Sequence, residues 1–292
     1  MISGALTALI TPFTSNNELD IDSFNKLVEW QISEKINGLV VVGTTGESAT
    51  LSHDEHKFLI EHCVATIRGR VPVVAGAGSN STKEAIELAK HAQAARVDAL
   101  LVVTPYYNKP CQRGLIEHYS AIANAVTVPI IIYNIPGRSV IDILPQTIKH
   151  LTLKHKNIIG VKDATGSIDR VAQQRSLCGP NFIQLSGNDC TSIAFNAQGG
   201  QGCISVTSNV APKLCAELQA ACKNGDYKTA LTINDKLQTL NEALFLEPNP
   251  AGIKYAVSKL GLCSEYVRSP MVTLEEETKK IIDKAMDIAG LL

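Results

Sequence analysis

Asn157-Ile158-Ile159-Gly160-Val161-Lys162-Asp163 is an apolar run that ends abruptly in two opposite charges. The run does not alternate apolar with polar residues, as a half-exposed strand does. It reads as a strand covered on both faces, the situation of a parallel sheet lying beneath helices. Working outward, seven further runs, mostly of Val, Ile, Leu and Ala, have the same character, at 5–11, 38–42, 71–75, 98–103, 129–133, 182–186 and 202–206. Amphipathic helices fill the gaps. Phe24, Leu27, Val28, Ile32 and Ile36 recur at helical spacing on one face. Two other helices open with capping boxes, Ser52-His53-Asp54-Glu55 and Ser81-Thr82-Lys83-Glu84. Eight strands alternating with helices over about 225 residues match the size of a closed (β/α)8 TIM barrel. The chain is therefore divided into a barrel over 1–225 and a C-terminal helical extension over 226–292 that reads as helices only. An open dinucleotide-binding sheet is disfavoured: Gly76-Ala77-Gly78-Ser79-Asn80 lacks a third glycine and reads as a tight turn.

Composition bounds what such a barrel does. The 292 residues include 27 basic and 28 acidic side chains, a formal net charge of −1, so no broad basic field exists to capture nucleic acid or an anionic membrane. No charged leader precedes an apolar stretch at Met1-Ile2-Ser3-Gly4-Ala5-Leu6, and the longest apolar runs are far too short to span a bilayer. The eight cysteines, at 63, 111, 178, 190, 203, 215, 222 and 263, form no C-x-x-C pair and no metal-ligand spacing. They read as reduced, mostly buried thiols of a cytoplasmic protein, with Cys203 close to the barrel mouth.

Barrel enzymes carry their chemistry where the strands end. The polar residues following the apolar runs are Gly43-Thr44-Thr45-Gly46-Glu47-Ser48, Thr104-Pro105-Tyr106-Tyr107-Asn108, Tyr133-Asn134-Ile135-Pro136-Gly137-Arg138, Lys162-Asp163 and Ser186-Gly187-Asn188-Asp189. Lys162 is the most telling of them. Partial desolvation at a strand end favours a neutral amine, which attacks a ketone or aldehyde to give a Schiff base. Alone, it is more often an ordinary lysine at a strand end, paired with Asp163. The Thr44-Thr45-Gly46 turn offers hydroxyls and free N–H groups suited to a small carboxylate, although it is equally a plain loop. Tyr133 suits proton transfer if its phenol is hydrogen-bonded to a partner such as Thr45. Arg138 suits a second carboxylate, or is simply a solvated arginine.

In this order and spacing, the Gly43–Ser48, Tyr133–Arg138 and Gly160-Val161-Lys162-Asp163 motifs resemble the dihydrodipicolinate synthase family, a branch of the class I pyruvate aldolases. The resemblance runs over all 292 residues and includes Val103–Pro110 and Glu247-Pro248-Asn249-Pro250. It implies that Lys162 forms a Schiff base with pyruvate, and that the derived enamine attacks the aldehyde of L-aspartate 4-semialdehyde, the first committed step of lysine biosynthesis. It further implies that Thr45, Tyr133 and Tyr107 relay protons, Tyr107 reaching in from a neighbouring subunit. Arg138 would hold the semialdehyde carboxylate, and the Thr44–Thr45 backbone the pyruvate carboxylate. Gly187 would line the mouth, and the Ile204 carbonyl would lie near the imine nitrogen. No metal or organic cofactor is implied, and the implied assembly is a homotetramer, a dimer of tight dimers.

The resemblance also implies feedback inhibition by lysine at Ser48, Ala49, His53, His56, Asn80, Glu84 and Tyr106. Read without it, His53 and His56 lie three apart on one helix face. No third metal ligand accompanies them, so solvated histidines are the ordinary reading. The chain departs from the family pattern at Ser139, Cys111, Arg113 and Asn249-Pro250-Ala251-Gly252-Ile253-Lys254. Those departures bear on loop tuning and helix packing and remove no catalytic group. Two other functions remain open at this level. One is an aldolase or lyase of N-acetylneuraminate, 2-keto-3-deoxy sugar acids or 4-hydroxy-2-oxoglutarate, which would use the same Lys162 and Tyr133. The other is a non-catalytic barrel that binds a keto acid or amino acid, which has no need of the full set Lys162, Tyr133, Thr45 and Tyr107.

Overall fold

The computed structural model describes residues 2–292. Its strands are β1 (Gly4–Ala8), β2 (Gly38–Val41), β3 (Val73–Gly76), β4 (Ala99–Val103), β5 (Ile130–Asn134), β6 (Ile158–Asp163), β7 (Ile183–Ser186) and β8 (Gly202–Ser205). All pair in parallel in sequential order, and β8 closes on β1 through Gly4–Gly202 to Thr7–Ser205. This is the expected TIM barrel. The surrounding helices are α1 (Ile21–Ser33), α2 (His53–Ile67), α3 (Thr82–Ala94), α4 (Gln112–Ala125), a short α5 (Pro136–Ser139), α6 (Pro145–Lys154), α7 (Asp169–Cys178), α8 (Ser192–Ala197) and α9 (Pro212–Lys223). The extension adds α10 (Tyr227–Ala243), α11 (Ala251–Lys259) and α12 (Glu276–Ala289). It is less purely helical than its sequence suggests, because residues 262–275 run as irregular chain between α11 and α12.

Alternation along each strand sorts the side chains into two cores. Leu6, Val40, Val74, Leu101, Ile131 and Leu185 face inward and plug the barrel, so it is a packed core and not a channel. Their neighbours Leu39, Val41, Leu100, Ile130, Ile132 and Val161 face outward against the helices. This double burial is why the strand sequences read as unbroken apolar runs. Among the described residues, no helix is long and apolar enough to cross a membrane.

Buried polar groups fix the register of helices on the barrel. Gln31 of α1, fully buried, accepts from Thr7 Oγ1 at 2.6 Å and donates to the Ser208 carbonyl at 2.8 Å. β1 is shorter than its apolar run: the Leu9 N–H still donates to the Val40 carbonyl at 3.0 Å, but the Ile10 N–H donates to Asn209 Oδ1 at 3.0 Å, not to a strand. Asn209 in turn donates to the Ala8 carbonyl at 2.8 Å, tying the two ends of the closed sheet together.

The sequence Gly76-Ala77-Gly78 is a close backbone crossing, with no sign of a nucleotide loop. A Cβ built on Gly76 would lie 2.2 Å from the Val42 carbonyl oxygen, a backbone atom that cannot swing away. Gly76→Ala should therefore push β3 off the end of β2 and cost roughly 1–3 kcal/mol of stability, the range for overpacked cores. Urea unfolding of the two proteins measures it, and equal midpoints would refute the crossing as a constraint.

Candidate active site

The end of β6 sets out the site. Period-two alternation turns Val161 and Asp163 outward and Lys162 inward. Asp163 is buried and already neutralised from outside the barrel: Arg170 Nε donates to it at 2.9 Å and Gln174 Nε2 at 3.0 Å, both from α7. Thr165 adds its N–H at 3.0 Å and its hydroxyl at 2.6 Å. Pairing of Lys162 with Asp163, one reading of the sequence, is thus excluded. Lys162 is buried and makes no salt bridge among the described residues. Its Nζ lies 4.2 Å from the centroid of the Tyr133 ring, and Tyr133 stands opposite it in the β5–β6 register.

Room beside the amine comes from Gly187, just past β7. A Cβ there would meet Ala164 at 2.6 Å and Lys162 Cε at 3.1 Å, so any side chain would occupy the space a small substrate needs. Ile204 of β8 packs in the same inner cluster as Tyr133. Asp189 holds the end of β8 by accepting from the Val206 N–H at 2.9 Å. Desolvation raises the pKa of that carboxyl, against the opposing pull of the Ser205 hydroxyl, the Val206 and Thr207 N–H groups and the Lys162 charge.

Thr44 and Thr45 occupy the turn after β2, and Thr45 is buried. The Thr45 hydroxyl accepts from Asn249 Nδ2 at 3.1 Å; its expected bond to Tyr133 is not formed among the described residues. Arg138, in α5, donates to the Asn249 carbonyl at 3.3 Å. Asn249 therefore joins Thr45 to Arg138. The sequence reading placed residues 249–254 among departures that bear on loop tuning and helix packing, and the structure adds this contact with the Thr45 turn. Ser139, another departure, is buried and takes the Thr104 hydroxyl at 3.1 Å, bracing α5 beneath Arg138. Cys111 is exposed at the start of α4, whereas Cys203 is buried.

A cleft of about 490 Å³ runs from Thr44, Arg138 and Asn249 outward past Ser48, Ala49, His53, His56, Glu84 and Tyr106. Six of the seven residues of the implied lysine site thus share one cavity with the edge of the Thr44–Thr45 turn. Asn80 does not line it; its carbonyl accepts from Asn108 Nδ2 at 2.9 Å. Within the cleft His53 Nε2 meets Glu84 at 2.9 Å, and the Ser79 hydroxyl also donates to Glu84. This explains why only one of the two expected capping boxes is reciprocal. Ser52 and Glu55 exchange both bonds, while at Ser81 the Glu84 carboxylate is committed to the cleft. Tyr107 points away from all of this, 88% exposed, with its backbone in the left-handed region (φ +73°).

A parallel barrel with a buried, unpaired lysine at the end of its sixth strand, beside a tyrosine and a vacated glycine position, defines a class of carbonyl-processing barrel enzyme. The sequence profile of the Dihydrodipicolinate synthetase family matches residues 1–289. A relative named 4-hydroxy-tetrahydrodipicolinate synthase, from Bartonella tribocorum, is 65% identical over 292 residues, covering 100% of this chain and 99% of that protein. The chloride-inhibited dihydrodipicolinate synthase of Acinetobacter baumannii, solved with pyruvate, superposes with a TM-score of 0.98 at 41% identity over 100% of both chains. The enzyme of Cyanidioschyzon merolae, solved with lysine bound, superposes at 0.96 and 35% identity over 99% of both chains. The chain belongs to the dihydrodipicolinate synthetase family, and it is a lyase.

Sequence reasoning missed Asn249, Lys254 and Arg268 as contributors to the site. The available signal was a lysine inside the otherwise apolar first half of α11; Asn249, between two prolines ahead of that helix, and Arg268, in irregular chain, offered none.

Burial also sets the protonation of His56. Desolvation holds its pKa at about 4, with the neighbouring His53 and His91 charges adding to the effect. The unfolded ring titrates near 6.5, so the unfolded chain takes up the proton first as pH falls. The stabilisation is intact above about pH 6.5 and is lost progressively toward pH 4, up to roughly 3 kcal/mol for the whole shift. His56→Gln should flatten the fall in stability between pH 6.5 and 4, compared with wild type by urea unfolding. An unchanged pH slope would contradict the assignment.

Proposed function

We propose that this enzyme condenses pyruvate with L-aspartate 4-semialdehyde to 4-hydroxy-tetrahydrodipicolinate, opening lysine synthesis by the diaminopimelate route. The observation that carries the reading is Lys162, buried, free of any carboxylate partner and 4.2 Å from the Tyr133 ring. The Lys162 amine adds to C2 of pyruvate, and loss of water gives the iminium. Loss of a C3 proton gives the enamine, whose C3 attacks the semialdehyde carbonyl carbon. The new alkoxide takes a proton through Tyr133, which exchanges it with Thr45 and with Tyr107 of a neighbouring subunit. The substrate amine then attacks C2, closing the ring and releasing Lys162.

The Thr44–Thr45 turn takes the pyruvate carboxylate, Arg138 the semialdehyde carboxylate, and the Ile204 carbonyl accepts from the imine N–H. Gly187 leaves space for the pyruvate methyl group. The lysine itself is the electron sink, so the reaction as written calls for no metal or organic cofactor. The outward set of Tyr107 supports its service to another copy of the chain, within a homotetramer built as a dimer of dimers. The barrel of residues 1–225 and the extension of 226–292 act together in the cytoplasm.

Lysine is the proposed inhibitor, seated in the outer cleft with its ammonium group toward Glu84 and the Tyr106 ring. The shared cleft and the lysine-bound algal neighbour support this reading.

Borohydride reduction in the presence of pyruvate should trap one adduct on Lys162, located by intact-mass and peptide analysis, and Lys162→Ala should abolish it with the fold retained. Absence of an adduct in the wild-type enzyme would falsify the Schiff-base reading. Preferred cleavage of sugar acids, compared by kcat/KM, would transfer the assignment to another aldolase. Tyr133→Phe should lower kcat about 10²–10⁴-fold, the usual contribution of a positioned proton donor. Glu84→Gln should raise the half-inhibiting lysine concentration about tenfold, or about 1.4 kcal/mol. Unaltered inhibition would move the effector site elsewhere.

A further inference from the structure

The turn that presents Thr45 ends at Glu47, and Glu47 is held entirely by the helical extension. Its backbone is in the left-handed region (φ +55°), and its carboxylate is buried. Lys254 Nζ of α11 donates to Oε1 at 2.6 Å, with side-chain exposures of 0% and 2% for the two partners. The Arg268 N–H donates to Oε2 at 2.9 Å. Lys254 also lies 4.1 Å from the Phe13 ring centroid, and the Arg268 guanidinium lies 4.2 Å from the same centroid. Burial pushes the Lys254 pKa down, opposed by the Glu47 charge beside it.

A fully buried ion pair is a poor device for stability, because desolvation offsets much of the attraction, and an apolar pair of similar volume generally does as well. Its position here suggests another use. Two residues before Glu47 in the turn, and five before Lys254 in the extension, Asn249 Nδ2 donates to Thr45 Oγ1. The extension thus grips the turn at two points, one on the reacting hydroxyl and one on the carboxylate that terminates the turn. With Asn249 occupying an acceptor site on the Thr45 oxygen, the hydroxyl proton is free to be directed elsewhere. A shift of the turn relative to α11 would break that arrangement without touching Lys162.

We propose that Glu47 and Lys254 are positioning residues, a buried pair that fixes the turn on the extension so that Asn249 orients the Thr45 hydroxyl for proton transfer. The proposal rests on the function given above, in which Thr45 belongs to the relay.

The test compares Glu47→Gln with the double variant Glu47→Gln/Lys254→Met in the full-length enzyme. The single variant strands a buried ammonium and should lose both thermal stability and activity. The double variant removes both charges and should regain the wild-type unfolding temperature, yet kcat should stay at least about tenfold low, as expected for a misplaced relay group. Borohydride trapping of pyruvate on Lys162 at saturating pyruvate should proceed as in wild type, which places the loss in proton transfer after imine formation. Recovery of kcat together with stability would overturn the proposal and leave the pair a purely structural contact. Asn249→Ala leaves the ion pair in place and serves if the double variant fails to fold. It should lower kcat about tenfold at an unchanged unfolding temperature, and wild-type kcat would again overturn the proposal. Wild-type enzyme that traps no pyruvate refutes the function itself, an outcome distinct from either.

Discussion

Everything at the catalytic end follows from two adjacent residues of opposite charge pointing to opposite sides of one strand. Alternation sends Lys162 into the barrel and Asp163 toward α7, where Arg170, Gln174 and Thr165 satisfy the carboxylate completely enough to keep it there. Asp163 is thereby withdrawn as a partner for the amine. A lysine neutralised by its neighbour would be a salt bridge. A lysine separated from that neighbour by the thickness of the sheet, with an aromatic face and an empty glycine position around it, is available for covalent chemistry. Arg170 further bonds Asp142 at 3.1 Å and the Ile143 carbonyl at 2.8 Å, so the anchoring of Asp163 extends to the segment following β5.

The overall charge of −1 means that recognition of small anionic substrates falls to local groups. In the function proposed above these are Thr45 and Arg138, which differ in how firmly they are held. Thr45 is buried and fixed, whereas Arg138 is exposed and held only through the Asn249 carbonyl. A buried donor set favours a small ligand bound in one pose, while an arginine on a short helix at the rim can close on a second ligand that arrives later.

The barrel was legible because its signal is repeated: each strand is a short, unbroken apolar run, and the same mistake would have to be made many times to lose the fold. The strand-end rule then brought Lys162, Tyr133, Thr45 and Arg138 to one face without any knowledge of distances. What escaped the sequence is contact between distant segments. Glu47 and Lys254 are 207 positions apart, and Thr45 and Asn249 are 204 apart. Nothing in local periodicity encodes such pairs; at most, Lys254 is a charge on what should be an apolar helix face. Local patterns misled in smaller ways as well. The β1 run extends past Ala8, but Asn209 takes the amide of Ile10, and the second capping box is undone by the commitment of Glu84 to the cleft.

These long-range contacts explain why an extension that supplies no reacting atom belongs to the working enzyme. Loops at the mouth of a barrel are its least constrained parts, since they are tied to the sheet at their ends alone. The turn after β2 escapes that freedom because its carboxylate is drawn into a charge-balanced cluster, in which the buried pair Glu47 and Lys254 adjoins the half-buried pair Glu55 and Arg268. Arg268 holds Glu55 by two bonds of 2.6 and 2.8 Å and keeps the Glu55 pKa at about 2, so Glu55 stays ionised throughout the neutral range. Because Glu55 lies in the first turn of α2 and the cleft is lined by α2 and by Ser48 and Ala49 just after Glu47, these contacts connect the extension, the Thr45 turn and the wall of the outer cavity. A ligand that displaced that wall would reach Thr45 through covalent geometry alone, over the few bonds from Ser48 back to Thr45.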